Sequence, residues 1–319
     1  MKTRIIELEN LNDFIDQIIY KSSYKNINVT FIYRGEGSKN YLMLPTALRD
    51  NANLRLKHDY LLSYQNTEYY QILAEYSYLK KFCIEANKNG IPINGCSELV
   101  KYFYEECNDE FNIDRFTERK YEVWIPDFLL ETASVAQHSG LPTRLLDWSN
   151  NAMCALYFAC NDALRKLKSM TLEDAKTFVL NGKDKLVIWE LNSSIIQSYN
   201  YNKVGKEACE KIKLFIPQSD SHRNIKAQKG VMMYRQVFKG GLLTKQIDRT
   251  PYDILLSEQF SCQTDPVLTK YTLPISNITK IYMFLDSCGI NTASMYHSHE
   301  GVVKKTKEDK FIESLSSYL

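Results

Sequence analysis

The sequence predicts an α+β domain, from two features of its 319 residues. Apolar residues at helical spacing dominate the first half of the chain, whereas β-branched and aromatic runs typical of strands are concentrated in the second half. This order differs from the regular alternation of strand and helix that builds a parallel sheet. Because no repeat, low-complexity segment or linker rich in Pro, Gly or Ser divides the chain, we expect a single domain over residues 1–319.

The individual elements follow from local periodicity. Helical spacing predicts helices over residues 8–22, about 58–88, 97–107, 127–138, about 150–164, 277–288 and 300–318. Strand-like composition predicts strands over residues 28–33, 143–148, 178–180, 186–191, 212–216, 231–238 and 270–274.

Turn and cap residues punctuate these elements. The glycines of Arg34–Gly37 predict a turn that ends the first strand, and Asn181–Asp184 predicts the turn of a hairpin between two later strands. Ser149 is the predicted N-cap of the apolar helix that follows it.

Charge and composition exclude some classes of protein. Forty Lys and Arg stand against 38 Asp and Glu, a formal charge of +2, which argues against a protein that coats nucleic acid through bulk charge. A local basic cleft stays compatible with this balance. The 22 Tyr and 14 Phe outnumber the 3 Trp, and exposed tyrosines would suit base stacking, although core and rim packing explains any single one as well.

The cysteines and the chain start set expectations for location. None of the 8 cysteines has CxxC spacing, so a zinc site is not expected. The first residues have no apolar signal core, and no stretch approaches the ~18 apolar residues of a membrane span. We therefore expect a cytoplasmic protein with reduced thiols and no membrane association.

One segment, residues 137–159, concentrates polar side chains directly before an apolar helix. These side chains are Gln137, His138, Thr143, Arg144, Asp147 and Ser149. The free N–H groups at a helix start suit a phosphate or another polar ligand. The alternative is structural: Asp147 and Ser149 cap the helix, and Arg144 pairs with Asp147.

The same segment carries a family resemblance. Residues 136–159, AQHSGLPTRLLDWSNNAMCALYFA, resemble the central signature of FRG domains, and residues 31–36, FIYRGE, resemble the motif that gives this family its name. Residues 226–230 are similar to a third element, with Met232 in place of the usual aromatic residue. The resemblance implies a domain core over about 28–49 and 126–300, a helical insertion over about 50–125 and a C-terminal helix over about 300–319.

A second resemblance concerns chemistry. A strand that ends in Tyr33-Arg34-Gly35 is similar to the first strand of arginine-type ADP-ribosyltransferases, in which the arginine holds the phosphates and the nicotinamide ribose of NAD. Residues 146–149 resemble the second element of that fold. The third element is a glutamate that orients the ribose, and the candidate for its position here is Gln228, in the stretch Gln228-Lys229-Gly230. The resemblance implies a split, bent β-sheet with flanking helices and the helical insertion on one edge, and NAD as a substrate.

The resemblance also implies site residues. Arg34 and Gln228 would be catalytic together with a carboxylate, Glu36 or alternatively Glu190. The residues implied in cofactor binding are Tyr33, Arg34, Gly35, His138, Thr143, Asp147, Trp148, Ser149 and Tyr157. A glutamine supplies a hydrogen bond but not the negative charge that an oxocarbenium-like transition state favours.

Structural roles compete with these assignments. Arg34 could pair with Asp147 to brace a turn, Gly35 could serve the turn alone, and His138 could cap a helix. Trp148 and Tyr157 would suit a hydrophobic core equally well.

The resemblance implies an NAD-dependent ADP-ribosyltransferase-like toxin of bacterial toxin–antitoxin or phage-defence systems. Its acceptor would be an RNA or a protein, and an antitoxin would be its partner. Two alternatives stay open. One is a nuclease or other hydrolase that uses His138 and Asp147, and the other is a non-catalytic module that binds a nucleotide or nucleic acid, which the glutamine at position 228 favours.

Overall fold

A computed structural model describes residues 3–20, 30–50, 54, 66–93, 123–202, 212–218, 223–238, 245–261, 263 and 265–316. Within these residues the helices are α1 (Leu11–Phe14), continued by a π-helical segment (Ile15–Tyr20), α2 (Glu68–Lys88), α3 (Asp127–His138), α4 (Ala152–Lys168), α5 (Leu172–Asn181), α6 (Ser193–Asn202), α7 (Arg223–Gln228), α8 (Tyr252–Gln259), α9 (Ile278–Ser287), α10 (Thr292–Met295) and α11 (His299–Ser316). The strands are β1 (Arg4–Glu7), β2 (Phe31–Glu36), β3 (Val123–Trp124), β4 (Leu146–Ser149), β5 (Lys185–Asn192), β6 (Ile212–Phe215), β7 (Gly230–Arg235), β8 (Val237–Phe238) and β9 (Leu268–Pro274).

Seven strands form one mixed sheet in the order β1-β9-β5-β2-β4-β7-β6. The β1–β9 pair is parallel, and the other neighbours in this sheet are antiparallel. The short strands β3 and β8 form a second, two-stranded sheet. The architecture is therefore mixed α and β, in agreement with the class that the sequence predicts.

The large sheet is nearly divided between β2 and β4. A single residue pair, Tyr33 with Ser149, joins these two strands. Beyond it, β2 pairs only with β5 and β4 only with β7. We call β1, β9, β5 and β2 the first half-sheet, and β4, β7 and β6 the second half-sheet.

Hydrophobic clusters cover both faces of the first half-sheet. On one face, apolar residues of α4, α5, α9 and α11 pack on Tyr33, Ile188 and Tyr271. On the other face, Ile32 and Trp189 pack with residues of α8 and of the second half-sheet. Burial of apolar side chains on both faces favours a sheet that is central to the molecule.

Glu75 of α2 is the centre of a buried ionic network. Its carboxylate accepts hydrogen bonds from Nε and Nη2 of Arg144 at 2.7 and 2.9 Å and from the indole N–H of Trp124 at 2.7 Å. The amide of Gln71 donates another at 2.8 Å, and Glu68 lies 3.5 Å from Arg144. Burial alone would lower the pKa of Arg144, but the Glu75 and Glu68 carboxylates raise it.

The same network reaches the second half-sheet. Arg235, at the end of β7, pairs with Asp248 at 2.6 Å, and the main-chain N–H of Asp248 donates to Glu68 at 3.1 Å. Helix α2, inside the predicted insertion over 50–125, is thus fixed to the central segment and to β7 by buried charges. Such charges are stable only when each is paired and hydrogen-bonded.

Several predicted elements are confirmed with small shifts in their bounds. The helix over 127–138 is α3, and the strands near 212–216, 231–238 and 270–274 correspond to β6, β7 with β8, and β9. The helix predicted over 97–107 lies outside the described residues. Among the residues that the structure covers, no helix is long and apolar enough to cross a membrane.

The predicted turn at Arg34–Gly37 is wrong in its start, because β2 continues through Glu36. Arg34, Gly35 and Glu36 keep a regular antiparallel ladder with Trp189, Ile188 and Val187 of β5. Glycine permits a turn but does not require one, and here ladder pairing determines the local structure.

The predicted hairpin around Asn181–Asp184 is also wrong. Residues 178–180 belong to α5, which Thr171 caps at its start and Gly182, in a left-handed conformation, caps at its end. Burial of Ala175 and Val179, one helical turn apart, outweighs the strand preference of the short apolar run. The N-cap of α4 is Asn151, which accepts from the N–H of Met153, and not Ser149.

Replacing Glu75 by Gln should lower the free energy of unfolding by about 3–5 kcal/mol, because it leaves the buried guanidinium of Arg144 without its main counter-charge. Urea unfolding measures this change. The matched control is Glu85→Gln on the same helix, whose exposed pair with Lys88 should contribute less than about 1 kcal/mol. Equal effects of the two substitutions would contradict a structural role for the network.

Candidate functional site

An open cleft of about 850 Å³ lies where the two half-sheets separate. Its walls are formed by β2, by β4, by the segment 40–50 that follows β2, and by α4. A volume of this size is within the range of small-molecule and cofactor sites. The residues lining the cleft include Tyr33, Arg34, Gly35, Glu36, Arg49, Asp50, Gln137, His138, Asp147, Trp148, Ser149, Phe158, Asn161, Asp162, Arg165, Gln228, Arg249 and Tyr296.

Arg34 spans the opening between the half-sheets. Its Nη1 donates a hydrogen bond of 2.8 Å to the main-chain carbonyl of Asp147, on the far side of the gap. The guanidinium thus occupies the position where the β2–β4 ladder has ended. Its side chain retains 13% of its exposure, so it faces the cleft and is not sealed in the core.

Glu36 holds Arg34 in this position. One carboxylate oxygen accepts from Nε of Arg34 at 3.2 Å, and the other accepts from the indole N–H of Trp189 at 2.9 Å. The glutamate is only 4% exposed. Because both oxygens are engaged, Glu36 is suited to orienting the arginine.

Two further arginines line the cleft. Arg49 donates through Nε to the carbonyl of Leu44 at 2.9 Å, and Arg249 donates through Nε to the carbonyl of Leu48 at 3.0 Å. Partial desolvation and then the positive charge of Arg34 lower the pKa of Arg49. Like charges near each other in a cleft favour the binding of an anion between them.

Pairing of the charges in the cleft leaves one cation and one anion unmatched. The ion pairs are Arg34 with Glu36, Arg165 with Asp162 and Arg249 with Asp50. No described residue forms an ion pair with Arg49. The carboxylate of the exposed Asp147 likewise accepts no hydrogen bond or ion pair from the described residues.

Ser149 and Gln228 connect the end of β4 to the end of α7 beside the cleft. The hydroxyl of Ser149 donates to the carbonyl of Gln228 at 2.7 Å and accepts from the N–H of Asn151 at 3.0 Å. The side chain of Gln228 is buried, and its Nε2 donates to the carbonyl of Met295 at 3.4 Å. Arg34 and Gln228, far apart in sequence, therefore line the same cleft.

The implied site residues fall into two groups. His138, at the end of α3, and the buried Trp148 line the cleft. Thr143 is buried and bonds to Gln137, whereas Tyr157 is a core residue whose hydroxyl lies 2.9 Å from that of Thr292. Thr143 and Tyr157 therefore lie outside the cleft lining.

Two alternatives for the charged residues are also resolved. Arg144 bonds to Glu75 and Glu68, not to Asp147. Glu190 lies outside the cleft lining, beneath the hydroxyls of Tyr33 and Tyr271; burial and the charge of Glu190 raise the pKa of both tyrosines.

Gly35 and Gly37 allow α4 to approach β2. A Cβ on Gly35 would lie 1.7 Å from the carbonyl oxygen of Ala155, and one on Gly37 would lie 2.5 Å from the nitrogen of Ala163. Gly35 contributes its backbone to the cleft, but the side that lacks a Cβ faces the helix. The glycines of this motif thus have a packing role.

Several cleft residues were not identified from the sequence. Phe158, Asn161, Asp162 and Arg165 project from one face of α4, and their spacing of three and four residues is a helical signal that was present in the sequence. Arg49, Arg249 and Tyr296 follow from no local pattern, because only tertiary folding brings them to the cleft.

A comparison with known protein families agrees with the family resemblance of residues 136–159. Residues 29–168 match the family model of the FRG domain, a region that contains Arg34, Asp147 and most of the cleft. No curated protein and no solved structure matches the chain. The fold and the site define a mixed α and β protein with a charged cleft in a divided sheet. Residues 29–168 of the chain form an FRG domain, and Gln228 lies beyond the matched region.

Replacing Gly35 by Ala should lower the free energy of unfolding by about 3 kcal/mol or more, because the added Cβ overlaps the backbone of α4. Urea unfolding or soluble yield measures the loss. Gly182→Ala is the control, since it has no close contact but a φ of +57°, and should cost about 1 kcal/mol. A Gly35→Ala protein as stable as the wild type would contradict the packing role.

Proposed function

We propose that this protein is an NAD-dependent ADP-ribosyltransferase-like toxin whose cleft binds NAD as a substrate. The observation that carries the proposal is the position of Arg34, whose guanidinium faces the cleft between the half-sheets. Arginine is always charged and can grip a diphosphate through two parallel hydrogen bonds. The near-division of the sheet supports the ADP-ribosyltransferase-like bent, split sheet that the sequence resemblance implies.

The residues of the cleft fit the charge of such a substrate. Arg34 and Arg49 would hold the diphosphate, and Arg249 would add positive potential at the mouth. Glu36 would keep Arg34 oriented, and Ser149 would maintain the junction of the strands. Trp148, Phe158 and Tyr296 provide aromatic surface for the nicotinamide or adenine ring.

NAD carries an activated glycosidic bond. The protein would hold NAD in position and provide the charged groups around it. Holding the diphosphate fixes the ribose relative to Gln228, whose amide would hydrogen-bond a ribose hydroxyl. The ADP-ribosyl group would then pass to a macromolecule, RNA or protein. We propose that this activity belongs to a cytoplasmic toxin of a toxin–antitoxin or phage-defence system. An antitoxin would be its partner.

The proposal is tested by incubating the protein with adenylate-labelled NAD and a bacterial lysate, then separating protein from RNA. We expect label in one fraction, and its reduction by about 100-fold or more with Arg34→Ala, because the diphosphate loses a charged, bidentate partner. Arg4→Ala is the matched control, since this exposed arginine lies on β1, away from the cleft. Circular dichroism verifies that each variant is folded.

A non-catalytic module that binds a nucleotide or a nucleic acid is the second candidate. Gln228 in place of a glutamate favours it, together with the engagement of both Glu36 oxygens in structural hydrogen bonds. Absence of both label transfer and nicotinamide release from folded wild-type protein would reject the transferase and support this module.

A further inference from the structure

Asp147 is the one carboxylate of the described cleft residues that is both exposed and without an ion-pair partner. Glu36, Asp50 and Asp162 each pair with an arginine. Asp147 is exposed on β4 and contributes its main-chain carbonyl, not its carboxylate, to Arg34. Its negative charge is therefore available to a ligand in the cleft.

The main chain fixes where this carboxylate lies. Asp147 pairs with Met232 of β7, and two residues later Ser149 pairs with both Tyr33 and Gly230. The hydrogen bond from Arg34 clamps the carbonyl of Asp147 from the other half-sheet. Asp147 thus lies next to the guanidinium of Arg34, but it belongs to β4, across the gap from β2.

Asp147 lines the cleft, and the charges around it are consistent with this position. After burial, the charge of Asp147 is the largest cause that raises the pKa of Tyr296, and it also opposes the lowering of the pKa of Arg49. Both of these residues line the cleft. The carboxylate of Asp147 therefore interacts electrostatically with the guanidinium of Arg49 and with the phenol of Tyr296.

We infer that Asp147 is the catalytic carboxylate of the cleft and stabilises the positive charge that develops on the ribose of NAD. This inference rests on the proposed function. Asp147 would supply the negative charge that the neutral Gln228 lacks. Glu36 is not suited to this role, because both of its oxygens are engaged in hydrogen bonds to Arg34 and Trp189.

The reaction balances with NAD and an acceptor alone. The bond between C1′ of the ribose and the nicotinamide nitrogen breaks, and its electron pair leaves with neutral nicotinamide. The ribose becomes an oxocarbenium ion, and the carboxylate of Asp147 lowers its free energy. A nucleophilic atom of the acceptor bonds to C1′ and releases its proton to water.

The test is the rate of nicotinamide release and of label transfer by Asp147→Asn, together with its affinity for an NAD analogue whose glycosidic bond cannot be cleaved. Asparagine keeps the shape and removes the charge. We expect kcat to fall by about 100- to 1000-fold, while the dissociation constant of the analogue changes by less than about 3-fold. Asp147→Glu should recover part of the rate.

Two comparisons make the result specific. Glu36→Gln should weaken analogue binding, because it releases Arg34, whereas Asp147→Asn should reduce the chemical step. Glu313→Gln removes an exposed carboxylate of α11 that does not line the cleft and should leave both quantities unchanged. The Asp147 carboxylate has no partner among the residues described. The Asp147→Asn variant should therefore unfold at the same temperature as the wild type.

The outcomes separate the inference from the proposed function. A wild type that transfers ADP-ribose, with Asp147→Asn equally fast, would overturn the role of Asp147 alone. Loss of analogue binding by Asp147→Asn would also overturn it, in favour of a binding role. A folded wild type that neither releases nicotinamide nor transfers label would reject the proposed function itself.

Discussion

A hydrogen bond from Arg34 to the carbonyl of Asp147 crosses the place where β2 and β4 part. One ladder pair, Tyr33 with Ser149, holds the two strands together, and the cleft opens beside it. Each strand also pairs along its other edge, β2 with β5 and β4 with β7, so both strands stay in the sheet where they part. The gap is therefore compatible with a stable sheet, and a charged side chain rather than a strand occupies it.

The frame behind this gap is built from buried charges. Arg144 lies just before β4 and is held by Glu75 and Glu68 of α2, while Arg235 ties the end of β7 to Asp248. The position of Asp147 thus depends on a helix whose sequence lies between the two main motifs. On the other side of β2, the absence of a Cβ at Gly35 lets α4 pack directly on the strand. The cleft is consequently a product of the whole fold and not of one motif.

The sequence predicts the elements and site residues that depend on local periodicity or on a continuous motif. Periodicity predicts α3, and the motif resemblance indicates Arg34, Asp147 and Gln228, which all line the cleft. The strand predicted over 178–180 is wrong, because this short apolar run has the composition of a strand but lies between the helix caps Thr171 and Gly182. Glu75 and Arg144 are 69 residues apart, and no pattern in one chain links such partners. Arg49 and Arg249 were missed for the same reason.

The claim that the cleft recognises a diphosphate through the guanidinium fork of Arg34 is tested most directly by calorimetric titration of a non-cleavable NAD analogue. The comparison is between the wild type and Arg34→Lys, which keeps the charge but loses the planar pair of donors. We predict binding to the wild type and a dissociation constant about 10-fold or more higher for the variant. Equal dissociation constants, or a folded wild type that does not bind the analogue, would contradict the account.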